Sequence, residues 1–142
     1  MRIFPGDEGV ENMTKAVNPP QIHSPFANYS HAIRTEGAML FVSGQLGVAA
    51  DGSIPECARG QAEQCFANIT EILAAAGFET GHVARINAFV TDRRYLRDYM
   101  AARDAWVGPA AFPPASTLVI VAGFARPEFK VEVEVTACLG RQ

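Results

Sequence analysis

Long apolar runs are absent from this 142-residue chain, and none approaches the roughly 18–20 residues that span a bilayer. The N-terminus also lacks the charged start, apolar middle and small-residue cleavage site of a secretory leader. The expected compartment is therefore the cytoplasm, with no membrane partner. Positive charge is not in excess: 12 Lys and Arg stand against 15 Asp and Glu, for a net charge of −3. A binder of phosphate backbones usually carries a basic stripe, so no nucleic-acid partner is expected. Cysteine is scarce. Cys57, Cys65 and Cys138 form an odd, unclustered set, which excludes a disulfide framework, and no Cys-x-x-Cys spacing suggests zinc. His23, His31 and His82 lie far apart in sequence, so no metal site is expected either. Internal repeats and low-complexity tracts are missing as well.

What is present suits one domain with a real core. Residues 1–18 include Pro5, Gly6 and Gly9 among several charges, and read as an extended N-terminal arm rather than a packed element. Residues 19–142 read as a single domain. His31–Glu36 and Met39–Ser43 form two short strands around a turn at Gly37, a pattern that suits a hairpin, with the second strand ending at Gly44. Ala58–Ala76 is the strongest helix, because Ala62, Cys65, Phe66, Ile69, Ile72, Leu73 and Ala76 recur at three- and four-residue steps. Cys65 falls in that stripe and reads as a small buried hydrophobe. Gly77 stands where a left-handed C-cap is commonly needed.

Val83–Thr91 alternates as a strand. A second helix runs from about Arg94 to Val107, with Asp92 as its N-cap and Gly108-Pro109 ending it. Arg93, Arg94, Arg97 and Arg103 are expected to form a solvated face of that helix. Ser116–Val121 is a largely apolar strand. Lys130–Ala137 alternates cleanly, with Val131, Val133 and Val135 on one face. The order β-β-α-β-α-β-β points to an α+β fold in which two helices pack on one face of a mixed sheet. Phe41, Val42 and Leu118–Val121 look too apolar for the opposite face to meet water, so a second copy of the chain in a closed ring is expected to cover it.

Five landmarks occur in a fixed order: Tyr29-Ser-His-Ala32, Phe41-Val-Ser-Gly-Gln45, the helix end Asn68–Gly77, Phe89-Val-Thr-Asp92, and Phe112-Pro-Pro-Ala-Ser-Thr117 followed by Lys130–Val135. Together they resemble the RidA/YjgF family of enamine/imine deaminases over roughly Asn18 to Ala137. The resemblance implies a chorismate-mutase-like fold and a homotrimer with small-molecule sites in the clefts between subunits. It also implies Met13 as an alternative native start. By motif position, Tyr29, Ser43, Gly44 and Thr117 would shape the cleft. Glu132 would be the catalytic group, relaying a proton while water attacks an imine carbon, with no metal or organic cofactor.

One position departs from the family. Ala115 stands where the best-characterised branch has an arginine that holds the substrate carboxylate, and Met100 aligns with an asparagine of that branch. A guanidinium–carboxylate pair makes charge-assisted hydrogen bonds of about 1.5–3 kcal/mol each. Its loss predicts roughly two orders of magnitude weaker binding of a small carboxylate, hence an altered substrate. Arg126 is the candidate to replace it from the connection before the last strand. The alternative function is a non-catalytic metabolite-binding protein using the same cleft. A ribonuclease, another label of the family, fits poorly with the acidic balance.

Overall fold

The computed structural model describes residues 14–140, so residues 1–13, including Met13, lie outside the described residues. Six strands and two main helices follow the expected order, with one strand added at the start. Strand β1 (Lys15–Val17) pairs antiparallel with β2 (Ala32–Arg34). The last residues of the expected arm thus belong to the folded unit. Thr14 helps to anchor them: its hydroxyl donates to the Gly140 carbonyl at 2.7 Å and lies 2.8 Å from the Thr35 hydroxyl.

The main sheet has strand order β3-β6-β4-β5, formed by Met39–Leu46, Val131–Cys138, Val83–Val90 and Ala115–Ile120. Pairings β3–β6 and β6–β4 are antiparallel, and β4–β5 is parallel. A parallel pair needs a crossover, and helix α2 (Leu96–Val107) supplies it between β4 and β5. Helix α1 (Ala58–Ala75) packs against β6, β3 and α2. The fold class is therefore α+β, a mixed sheet with two helices, as the periodicities predicted.

Two expectations about the first strands need correction. The hairpin does not form, because β2 takes β1 as its partner rather than β3. Gly37, at φ 119°, turns the chain between them, and the flanking residues bond elsewhere. The Cys138 thiol donates to the Glu36 carbonyl at 3.1 Å, and Leu139 N–H donates to the Ala38 carbonyl at 2.9 Å. Strand β3 also does not end at Gly44. It runs on to Leu46 through a bulge, where Val42 faces Val135 and Gln45 faces Val133, so that β3 carries one extra residue.

The core lies between helices and sheet. Phe66, Ile69 and Leu73 of α1, Ile86, Ala88 and Val90 of β4, and Val131, Val133 and Val135 of β6 are all buried. Phe66 stacks on Trp106 at 4.7 Å and on Tyr99 at 6.0 Å between ring centroids, which joins the two helices. Cys65 is wholly buried; burial first, then the charge of Glu132, pushes its thiol up to about 12, so it is an inert core residue. Gly77 caps α1 at φ 81°. Asp92 accepts from Arg94 N–H at 2.8 Å, capping the short 3-10 turn Arg93–Tyr95 that leads into α2.

Opposite the helices, Met39, Phe41 and Val119 are exposed, Phe41 by 75%. Among the described residues no helix is long and apolar enough to cross a membrane.

Candidate functional site

Candidate residues gather in two groups at different places on the molecule. The first forms around the β3 bulge. Alternation along β6 turns Val131 and Val133 into the core and leaves Glu132 half-buried on the other face. Gly44, in the bulge, brings bare backbone against that side chain: a Cβ there would lie 2.6 Å from Glu132 Oε1. Only glycine gives such an approach at no steric cost. Ser43 precedes it and is exposed; the Gln45 side-chain amide donates to the Ser43 carbonyl at 3.2 Å.

Glu132 has a carboxyl raised above the ordinary range, first by burial and then by the charge of Glu134. Lys130 does not neutralise it, because its ammonium donates to the Glu56 carbonyl at 2.6 Å. Among the described residues no cation lies within ion-pairing distance of Glu132.

The second group forms at the start of β5. Ser30 pairs with Ala115 as an isolated parallel bridge. Its N–H donates to the Pro114 carbonyl at 3.2 Å, and its hydroxyl donates to the Pro113 carbonyl at 2.5 Å. These bonds fix the neighbouring Tyr29 beside Ala115. Tyr29 meets Phe26 and His31 edge-on, each at 5.7 Å. It lines a cavity of about 340 Å³ together with Phe26, Leu96, Met100, Ser116 and Leu118. Thr117, two residues beyond Ala115, accepts a hydrogen bond from Arg85 Nη2 at 3.0 Å.

Arg103 also lines that cavity, contrary to its expected place on a solvated face. It is only 4% exposed. Its Nη1 donates to Ser116 Oγ at a long 3.4 Å, and its Nε donates to Asp104 Oδ1 at 3.1 Å. Nη2 lies equally close to that oxygen as an ion pair, without the angle for a hydrogen bond. Position 103 is on the same side of α2 as Tyr99 and Met100, so the helical period turns it toward β5.

Within one chain the two groups do not meet. The strand registers put Glu132 level with Phe89 and Val119, four residues along β5 from Ala115. That is about 13 Å along the strands and about 10 Å across them. Arg126 belongs to the Glu132 end, on the loop after β5. It pairs with Glu128 at 3.0 Å and stacks on Phe129 at 4.7 Å, so within one chain it lies at the end of the sheet away from Ala115. No group of three or more His, Cys, Asp or Glu able to hold a metal occurs among the described residues.

The site residues missed from sequence are Arg85, Ser30 and the buried Arg103. Alternation along β4 puts Arg85 outside the core, but its pairing with Ala115 and Thr117 depends on the sheet order.

Fold and site together define a small α+β protein whose open, partly apolar sheet face carries a half-buried carboxylate near one end, and whose strand β5 borders an aromatic-walled cavity on the helix side near the other. Comparison with known proteins gives that class its family. Residues 21–139 match the family described as Endoribonuclease L-PSP, and the chain belongs to this family, the RidA/YjgF family. Protein DfrA of Myxococcus xanthus is 32% identical over 129 residues, covering 87% of this chain and 94% of its own. A 2-iminobutanoate/2-iminopropanoate deaminase of Dermatophagoides farinae is 28% identical over 108 residues, covering 73% and 81%. The crystal structure of YyfB from Yersinia pestis, a protein of unknown function of the conserved Rid family, matches with a TM-score of 0.78 at 29% identity, over 89% of this chain and 99% of that one.

Proposed function

We propose that the chain is a deaminase-like hydrolase of a small reactive enamine or imine, working in clefts between the copies of a homotrimer. One observation carries the reading: Glu132 is a half-buried carboxylate without a cationic partner, raised in pKa and set against the bare backbone of Gly44. A carboxyl poised nearer neutrality can both take and return a proton. Water adds to the imine carbon while Glu132 takes its proton. Glu132 returns the proton to nitrogen to give a carbinolamine, then takes the hydroxyl proton and delivers it to nitrogen as the C–N bond breaks, so that ammonia leaves a carbonyl compound behind. Ser43 and Gly44 border the carboxylate, while Tyr29 and Thr117 shape the far side. No cofactor enters the scheme. The deaminase named among the relatives supports the reaction class.

The separation of the two groups supports the assembly. A closed ring would set the Glu132 end of one copy against the Ala115 end of the next, and would cover Met39, Phe41 and Val119. Ala115 favours a second reading, a metabolite-binding protein that keeps the cleft without hydrolysis.

Freshly generated 2-aminoacrylate and 2-iminobutyrate, with ammonia and keto-acid release followed, test the choice. Turnover that falls by about 10²–10⁴ in Glu132→Gln supports the hydrolase. Turnover that survives the substitution removes Glu132 as proton carrier, and no release by the native chain favours the binding protein. Light scattering should return three times the 15.3 kDa of one chain; a monomeric mass at micromolar concentration refutes the ring.

A further inference from the structure

We infer that Arg85 supplies the guanidinium that meets a ligand's carboxylate at the Ala115 end of the sheet, so that the chain recognises small carboxylates despite the alanine. The inference rests on the proposed cleft and names the class of molecule that enters it. Arg85 is an exposed residue between the buried Ala84 and Ile86 of β4, so it points away from the helices. Its Cα partner across the parallel ladder is Ala115 itself. Its side chain reaches over to β5, where Nη2 donates to Thr117 Oγ1 at 3.0 Å. Ala115 adds only a methyl, and the charge at this end of the face therefore comes from the neighbouring strand.

The state of that guanidinium points to an anion. Arg59, Arg94, Arg103 and Arg126 each pair with a carboxylate; Arg85, like Arg34, Arg93 and Arg97, does not, and on the sheet it holds a neutral hydroxyl instead. The acidic side chain on the adjacent row, Glu134, instead accepts from Asn87 Nδ2 at 3.1 Å. No carboxylate of the described residues pairs with Arg85, and the planar fork has donors beyond the one on Thr117. A carboxylate is the acceptor that this fork matches with two parallel bonds. Tyr29, fixed beside Ala115 through the Ser30 bridge, walls the same end of β5 from the helix side. Arg103 is a poorer anchor, since it lies buried on the helix side of β5 and is already committed to Asp104 and Ser116.

Calorimetric titration with 2-oxobutanoate, a stable small carboxylate, tests the assignment. Arg85→Gln should weaken binding ten- to hundred-fold and flatten its dependence on ionic strength. Arg85→Lys should recover part of the affinity, and Arg97→Gln, which removes an exposed charge of α2, should bind like the native chain. Thermal midpoints of all three should match the native value, separating a binding role from a structural one. Unchanged affinity in Arg85→Gln overturns the inference, as does an equal loss in Arg97→Gln or no binding by the native chain at millimolar ligand. Binding that depends on Arg85 without any hydrolysis overturns the deaminase reading and leaves this inference standing.

Discussion

Gly44→Ala separates the position of Glu132 from the stability of the sheet. A Cβ at residue 44 would lie 2.6 Å from Glu132 Oε1, 2.7 Å from Cδ and 3.0 Å from Cγ, against roughly 3.5–4.0 Å for relaxed carbon contacts. Every one of those atoms belongs to a rotatable side chain, so the carboxylate moves by about 1 Å or changes rotamer and the backbone stays. An off-rotamer glutamate costs about 0.5–1.5 kcal/mol. Gly44 is outside the positive-φ region, so alanine fits its backbone and recovers about 0.4–1 kcal/mol of unfolded-state entropy. The net change in stability is therefore within about 1 kcal/mol. Activity should respond much more, because a reacting group misplaced by about 1 Å can lose about 10²-fold in rate. Urea unfolding, ammonia release and an NMR titration of the Glu132 carboxyl carbon measure the three consequences. The variant should unfold near the native midpoint, turn over slowly, and show a Glu132 that titrates closer to an ordinary glutamate. Full turnover with an unmoved titration would refute the contact as the device that sets the carboxylate.

Other perturbations have expected outcomes of the same kind. The buried Gln61 donates to the carbonyls of Pro55 and Glu128, each at 2.9 Å, and accepts from Lys130 N–H at 2.8 Å; Gln61→Leu leaves all three unpaired and should cost roughly 3 kcal/mol or more in urea unfolding. Phe66→Ala removes the ring stacked between the helices and should cost about 3–5 kcal/mol by the same measurement. Because the folded state raises the pKa of Glu132, it binds that proton more tightly than the unfolded chain does. Its favourable contribution is complete below the unfolded pKa and is lost as pH rises through the folded one. Glu132→Gln should accordingly raise the melting temperature at pH 7, with the gain shrinking as the buffer is acidified below the ordinary glutamate range. Phe41→Asp puts a charge on the open face and should yield monomers in light scattering if that face is the ring interface.

The helices were legible because their signal is local. Seven apolar positions at helical spacing marked α1, and a glycine stood just past its end. The alternation of β6 likewise places Glu132 away from the core. What escaped was pairing, which sequence period does not encode. The Gly37 turn looked like a hairpin, yet β3 takes β6 and β2 takes the residues that had been read as an arm. The bulge was hidden for the same reason: a glycine inside a strand marks either an end or a close approach, and only the ladder with β6 shows the second.

The arginines show where local reading stops. Arg85 and Arg103 are both charged letters in otherwise regular elements, and a solvated face is the ordinary place for such residues. Arg103 departs from that rule because α2, as the crossover between parallel strands, turns this side toward Ser116 on β5. Arg85 obeys it, and its importance comes from the strand beside it. In sequence it lies thirty residues from the alanine whose missing charge it would replace, and in the sheet the two are ladder partners. Ala115 alone predicts a cleft that has lost its grip on carboxylates. With Arg85 on Thr117, the same position predicts a cleft that holds them from the adjacent strand, and the specificity of the chain turns on which strand carries the charge.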